Sequence, residues 1–140
     1  MTEQVVIDGQ VCAIIVRNQP VDPGVHFVTP DSYSQQLAVM CHPAGKTIEP
    51  HVHNAVERSV ELTQEVLIIK KGILQVDFYD RSNSKRAEAQ LAKDDIILLA
   101  SGGHGFQALT DLEMIEVKQG PYVGEEDKTR FVPNTKPETD

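Results

Sequence analysis

The sequence predicts an all-β domain built from about ten short strands. Residues 73–79 alternate, with Leu74, Val76 and Phe78 on one face and more polar side chains on the other, which is typical of a half-buried strand. Short apolar runs recur at regular spacing, and no long helical pattern interrupts them. Turn-forming residues separate the runs, which lie at 5–7, 11–16, 25–28, 37–41, 66–69, 87–91, 96–99, 106–110 and 114–118.

Local turn signals support this division. Asp8-Gly9 lies between the first two apolar runs and predicts a tight hairpin, because both residues tolerate the positive φ that such a turn requires. Residues 54–64 are the one helical candidate, since Val56 and Val60 recur at helical spacing. A loop is equally compatible with this stretch, so both alternatives stay open.

Chain length and net charge limit the number of domains and the kinds of partner that we expect. The 140 residues predict a single domain over 1–132, followed by a flexible polar tail over 133–140. The formal net charge of −8 argues against nucleic acid or an anionic membrane surface as a partner. The acidic N-terminus does not resemble a signal peptide, and no apolar run reaches the roughly 20 residues of a membrane span. The two cysteines form no CxxC pair. We therefore expect a cytoplasmic protein.

Four side chains form the candidate chemical site. His51 and His53 are two apart, so on a strand both imidazoles would point into one cavity. Glu65 begins the next apolar strand and could add a carboxylate, and His104 lies in a glycine-rich turn after residues 96–99. Three imidazoles and one carboxylate suit a divalent ion such as Fe, Mn, Ni, Cu or Zn. If the ligands lie on one side of the ion, other positions stay open to water or substrate.

These residues resemble the two motifs of the cupin superfamily. Gly45, five residues and His51-Val52-His53 match the first motif, which continues with Glu65, six residues and Gly72. The segment 94–104, with its acidic start, apolar strand, glycine and His104, resembles the second. The resemblance implies a double-stranded β-helix, the jelly-roll type of barrel, with one metal ion near its middle. It also implies that the protein is commonly a homodimer.

Two departures from the cupin pattern matter. Eleven residues separate His53 from Glu65, where the family usually has a much shorter gap. Glu57 would satisfy a short gap but has no glycine seven positions later, whereas Glu65 has Gly72. Glu65 is therefore the preferred ligand, with Glu57 or no carboxylate as alternatives. The second departure is Ala100-Ser101, where the family often has proline.

The sequence narrows the function to two classes. We expect a metal-dependent enzyme on a small polar substrate such as a sugar or an oxo-acid, with dioxygenase, isomerase and lyase chemistry all open. The alternative is a non-catalytic module that binds a metal or small molecule. A metal-free nucleotide-sugar isomerase is disfavoured by the intact histidine and glutamate set. Gln75, Gln107 and Lys118 are candidate substrate-binding residues, and Lys118 could hold an anion.

Overall fold

The computed structural model describes residues 1–135 and confirms the predicted all-β class. A single turn of 3-10 helix at Gly124–Asp127 follows the last strand. The predicted apolar runs correspond to strands, several of which extend further than the runs themselves. The strands are β1 (Thr2–Ile7), β2 (Gln10–Val16), β3 (Gly24–Phe27), β4 (Ala38–Cys41), β5 (Glu65–Lys71), β6 (Leu74–Tyr79), β7 (Lys85–Leu91), β8 (Ile96–Leu99), β9 (Gly103–Ala108) and β10 (Glu113–Lys118).

The strands form two main antiparallel sheets and one separate hairpin. The five-stranded sheet has the order β1-β2-β8-β5-β10, and the three-stranded sheet has the order β7-β6-β9. In the described part of the chain, β3 and β4 pair only with each other. This arrangement is consistent with a β-sandwich, and the strands of residues 1–135 do not close into a barrel. β10 and β9 are edge strands of their respective sheets, which leaves one side of the sandwich open.

The main core lies between the five-stranded and three-stranded sheets. The predicted alternation of β6 is confirmed, since Leu74, Val76 and Phe78 are fully buried. They pack in one cluster with inward-facing side chains of the larger sheet, including Leu67 and Ile97. Burial of each such side chain contributes about 1.5–3 kcal/mol, so this cluster is the principal source of folding free energy.

The larger sheet is apolar on both faces, and its second face carries a smaller cluster. Residues 66–69 of β5 form a continuous apolar run because alternate residues are buried on opposite faces. Val66 and Leu98 lie next to each other on this outer face, opposite to the main core. Tyr33 and Leu37, from the loop between β3 and β4, pack over them. The loop therefore holds the β3–β4 hairpin near this face.

Two turns explain the positions of the hairpins. Asp8 and Gly9 have φ of 51° and 79°, as the predicted tight turn requires. Gly72 connects β5 to β6 with φ of 86°, and a Cβ at this position would lie 2.0 Å from the carbonyl oxygen of Asp111. Glycine is therefore required at position 72 by both the backbone conformation and the space available.

Residues 42–64, between β4 and β5, form no helix and no strand. The helical alternative for residues 54–64 is thus wrong: Val56 and Val60 are 59% and 41% exposed, so they are not packed as the apolar face of a helix would be. Amphipathic helices take most of their stability from such packing. None of the helical structure in residues 1–135 is long and apolar enough to cross a membrane.

Candidate metal and acid-base site

Two of the four predicted ligands meet between the sheets. Oε1 of Glu65 lies 3.0 Å from Nε2 of His104, although 39 positions separate the two residues in the chain. Glu65 is opposite Leu99 in the ladder between β5 and β8, and His104 is opposite Phe78 in the ladder between β6 and β9. Both partners belong to the core, so the carboxylate and the imidazole point into the space between the sheets.

This pair lies at the open side of the sandwich rather than in its centre. The side chain of Glu65 is 11% exposed and that of His104 is 30% exposed. The ring of Phe106 stacks on the imidazole, with 5.2 Å between the ring centroids. The pair is thus shielded from water on the core side and remains accessible from the side of the edge strands.

The glycines around His104 make room for aromatic rings on the outer face of the three-stranded sheet. Gly103 and Gly105 point away from the core, toward the ring of Tyr79. A Cβ at Gly103 would also lie 3.0 Å from the ring of Phe131, which makes an edge contact with Tyr79. Tyr79 and Phe131 fill the space beside these glycines. His104 is held inside a strand by this packing.

β10 adds two charged side chains that complete the site. Lys118 is opposite Glu65 in the β5–β10 ladder, and Glu116, two residues earlier, points to the same face. Nζ of Lys118 lies 3.9 Å from Oε2 of Glu116. The candidate substrate-binding residue Lys118 is therefore next to the predicted ligands, and its ammonium group partly balances two carboxylates.

The two carboxylates are unequal. The hydrogen bond from His104 lowers the pKa of Glu65 to about 2, which outweighs the opposing effect of burial. The interaction with the Glu65 carboxylate raises the pKa of Glu116, and burial acts in the same direction. Of the two carboxylates, Glu116 therefore takes up a proton more readily, and Glu65 keeps its negative charge to lower pH.

Glu116 is the residue that sequence reasoning missed. The alternation of β10 would have placed it on the same face as Lys118. The sequence does not show that this face of β10 lies beside Glu65, because the pairing of β10 with β5 joins segments about 50 residues apart. The ladder, rather than any local motif, creates the carboxylate pair.

His51 and His53 lie in the irregular segment 42–64 and are exposed. Their rings are in edge contact, with centroids 5.2 Å apart, so the two imidazoles are neighbours as expected. The strand expected to carry them is absent, since Pro50 lacks a backbone donor and none of the strands in residues 1–135 pairs with the segment. Nδ1 of His51 is 2.8 Å from the carbonyl oxygen of Glu49. A hydrogen bond donated to this carbonyl leaves Nε2 as the free lone-pair nitrogen.

The two pairs of predicted ligands are separate in this structure. Within residues 1–135, no group of three or more His, Cys, Asp or Glu side chains has the arrangement of a metal site. Glu57, the alternative carboxylate, is exposed in the same irregular segment as His51 and His53. The structure thus brings Glu65 and His104 into contact, whereas His51 and His53 lie apart from them.

Gln75 and Gln107 lie on the other face of the three-stranded sheet. They are opposite each other in the ladder between β6 and β9, on the face that points away from the core. Nε2 of Gln75 donates hydrogen bonds to Asp77 at 3.0 Å and to Glu88 at 3.2 Å. Both glutamines therefore face away from the Glu65–His104 pair, whereas Lys118 lies beside it.

A separate cleft opens on the outer side of the five-stranded sheet. It has a volume of about 690 Å³ and lies between the β1–β2 turn, residues 32–34 and residues 59–62. Gln64 forms part of its wall, and its side-chain oxygen accepts hydrogen bonds from the amide of Gln35 and the hydroxyl of Ser34. Gln64 comes directly before Glu65, the first residue of β5, and successive side chains of an extended chain point to opposite sides, so this cleft and the carboxylate lie on opposite faces.

Comparison with known proteins adds no assignment to this geometry. The chain matches no protein-family model, no curated protein and no solved structure. The site is therefore defined by its own contacts: a buried carboxylate, a histidine bonded to it, a second carboxylate and a lysine.

Proposed function

We propose that the protein is a cupin-type metalloprotein that binds one divalent transition metal ion and uses it in a reaction on a small polar substrate. His51, His53, Glu65 and His104 would hold the ion, which would be Fe, Mn, Ni or Zn. The contact between Glu65 and His104 is the observation that carries the proposal. A bound ion would supply Lewis-acid chemistry and lower the pKa of a coordinated water.

The distance between the two donor atoms is compatible with binding to one metal ion. Two donors that each lie about 2.1 Å from the same ion are within roughly 4 Å of each other. Oε1 of Glu65 and Nε2 of His104 are 3.0 Å apart. The same contact is a hydrogen bond in the metal-free chain. An anionic carboxylate next to an imidazole is the mixed oxygen and nitrogen donor set that borderline divalent ions prefer.

The segment that carries the other two histidines leads directly into Glu65. About 12 residues connect His53 to Glu65, and an extended chain of this length spans up to roughly 40 Å. The connection is therefore long enough for both imidazoles to reach the open side of the sandwich. In this proposal, binding of the ion is coupled to ordering of residues 42–64 over the site.

Positive φ angles at the motif glycines support the cupin fold. Gly45, Gly72 and Gly102, at the glycine positions of the two motifs, have φ of 85°, 86° and 81°. Each of them occupies the left-handed region that favours glycine. The proposed jelly-roll topology would require residues 42–64 to join the sheets, which would close the open side.

The remaining residues of the site suggest the substrate class. Lys118 is partly exposed and would bind an anionic oxygen, which favours an oxo-acid over a neutral sugar. Glu116 lies on the same face as Glu65 and has the higher pKa of the two carboxylates, so it would be the one that exchanges a proton at the open side of the site. These two side chains act on the substrate, and Phe106 excludes water from one side of the imidazole.

Metal titration of single-site variants tests the proposal. The purified chain is stripped with a chelator and titrated with Zn²⁺ or Ni²⁺ by calorimetry. We expect one site per chain and a loss of at least about 100-fold in affinity for His104→Ala and for His51→Ala. His42→Ala is the matched control, because His42 is an exposed histidine of the same segment and belongs to neither motif. Equal affinities in the His104 and His42 variants would overturn the metal site.

A second measurement distinguishes an enzyme from a non-catalytic binding module. The metal-loaded chain is screened with sugars and oxo-acids while oxygen uptake and product formation are followed. Turnover that is lost in Lys118→Met and in His104→Ala supports the enzyme. Tight ligand binding by the metal-loaded chain without any turnover supports the non-catalytic alternative.

A further inference from the structure

The cleft on the outer side of the five-stranded sheet has no part in the proposed metal site. Its volume of about 690 Å³ lies within the roughly 300–1,000 Å³ that is typical of small-molecule sites. None of the four proposed metal ligands lines it, and it lies on the face of the sheet opposite to Glu65. A molecule bound in this cleft would therefore be recognised without the metal ion.

The floor of the cleft belongs to the sheet and is fixed by hydrogen bonds. Ala100 and Ser101 follow β8, and their amides donate to the carbonyl oxygen of Cys12 in β2, at 2.8 Å and 3.3 Å. The hydroxyl of Ser101 donates to the carbonyl oxygen of Val11 at 3.0 Å. The floor is therefore held in place before any ligand binds, and its small side chains leave the space above it open.

Gln64 contributes a buried amide group to the wall of the cleft. The residue is only 5% exposed. Its Oε1 accepts hydrogen bonds from the amide of Gln35 at 3.1 Å and from the hydroxyl of Ser34 at 3.3 Å, and these bonds fix the plane of the side-chain amide. Its Nε2 carries two hydrogens, and the carbonyl oxygen of Ala100, at 3.5 Å, accepts at most one of them. The side chain therefore keeps a hydrogen that it can donate to a ligand oxygen.

Tyr33 contributes an aromatic surface. Its ring packs against the smaller apolar cluster, which includes Val66 and Leu98, and the same half-buried residue lines the cleft. The exposed hydroxyls of Ser32 and Ser59 line the cleft as well. The cleft thus combines an apolar ring surface with groups that both donate and accept hydrogen bonds.

The charge of the lining selects against anions. Among residues 1–135, the lining includes no Lys, Arg or His, and Glu61 is its one charged side chain. A carboxylate accepts hydrogen bonds from hydroxyl groups, and such charge-assisted bonds are stronger than neutral ones. A phosphate or carboxylate group of a ligand would instead be repelled by Glu61 and would meet no cation in the lining.

From these contacts we infer that the cleft is a binding site for a neutral polyhydroxylated molecule of the size of a monosaccharide. Tyr33 lies against the apolar face of the sugar ring, Glu61 accepts hydrogens from its hydroxyls, and Gln64 donates a hydrogen to one of its oxygens. The site differs in ligand charge from the proposed substrate position beside Lys118, which favours an anionic oxygen. It lies on the other face of the sheet, so it is available whether or not a metal ion is bound.

Titration of the nitrogen-15-labelled chain with D-glucose, D-galactose and D-mannose, followed by amide chemical shifts, tests the inference. The chain is first treated with a chelator, so the result does not depend on the metal site. A ligand of about a dozen heavy atoms binds in the low millimolar range at ordinary efficiency, so each sugar is added to about 50 mM. We expect at least one of them to shift the amides of residues 32–34, 59–64 and 100–101. The uronate of the same sugar should bind at least about 10-fold more weakly.

Two variants show whether the sugar lies in the cleft. Glu61→Ala and Tyr33→Leu should each weaken binding at least about 10-fold, because they remove the charged acceptor and the aromatic surface. Glu126→Ala and Tyr122→Leu are the matched controls, because both residues are exposed and neither lines the cleft. Circular dichroism checks that each variant is folded. If Tyr33→Leu does not fold, the comparison of Glu61→Ala with Glu126→Ala decides.

Three outcomes would overturn the inference. The first is that none of the three sugars shifts the amides around the cleft at about 50 mM. The second is binding that Glu61→Ala leaves as strong as Glu126→Ala does, which would place the sugar elsewhere. The third is a uronate that binds as tightly as the neutral sugar, which would contradict the proposed ligand class.

Discussion

Asp95 connects the start of β8 to the end of β2, and its removal is the sharpest test of the fold. Oδ1 of Asp95 accepts a hydrogen bond from the amide of Asn18 at 2.9 Å. Oδ2 accepts one from the amide of Ala92 at 2.9 Å and one from Nη1 of Arg17 at 3.2 Å. One carboxylate thus joins the end of β2 to the β7–β8 turn, and Asp95→Ala removes all three bonds at once.

The expected cost of Asp95→Ala is about 3 kcal/mol of unfolding free energy. Each hydrogen bond to a charged group contributes about 1.5–3 kcal/mol when buried. The Asn18 and Ala92 amides are close to solvent, and Arg17 keeps a second partner in Glu3, so the sum is reduced. Asp95→Asn does not restore these hydrogen bonds, because the side-chain oxygen of Asn replaces only one of the two acceptor oxygens and its NH₂ group faces a donor.

Urea unfolding followed by far-ultraviolet circular dichroism measures this cost. At an m-value of about 2 kcal/mol/M, the midpoint should fall by roughly 1.5 M. Burial opposes ionisation of Asp95, but the amides of Ala92 and Asn18 and the charge of Arg17 outweigh it and lower its pKa.

The pH dependence of this cost follows from the lowered pKa. The charge-dependent stabilisation is complete above the unfolded-state pKa of about 4, and it is lost as the pH falls through the lower folded-state value. The difference between parent and variant should therefore shrink below about pH 4. A difference under about 1 kcal/mol at pH 7, or an equal difference at pH 7 and pH 3, would refute this reasoning.

Two further predictions concern the turns and the C-terminal segment. Gly9→Ala should lower the free energy of unfolding by about 1 kcal/mol, because only the positive φ is unfavourable there. Gly72→Ala should lower it by more than about 3 kcal/mol, because the new Cβ would also clash with the carbonyl of Asp111. Equal midpoints of the two variants in thermal unfolding would contradict the close approach at position 72. Phe131→Ala should cost about 1 kcal/mol through loss of the edge contact with Tyr79, and it should increase hydrogen exchange in residues 128–135. Unchanged exchange there would show that Phe131 does not anchor the segment.

Periodicity was sufficient to predict the strands but not the ends of the chain or the long connection. The alternation of β6 and the Asp8-Gly9 turn are local patterns, and both are confirmed. The predicted tail over 133–140 begins with residues that still make contacts, since the amide of Asn134 donates to the carbonyl of Asn83. The rest of that tail, residues 136–140, lies outside the described residues. Segment 42–64 carries motif residues but few of the alternating apolar residues that predict a paired strand. Its path depends on contacts with residues that are far away in the sequence.

Local periodicity and motif spacing were enough to predict the strand pattern and to name Glu65 and His104 among four candidate metal ligands. That these two residues meet at the open side of a sandwich, beside Glu116 and Lys118, follows from the pairing and packing of the sheets. The ladders of β5 with β10 and of β6 with β9 decide which faces lie opposite each other. Such pairings are non-local, and a shift of one residue would turn every side chain to the other face.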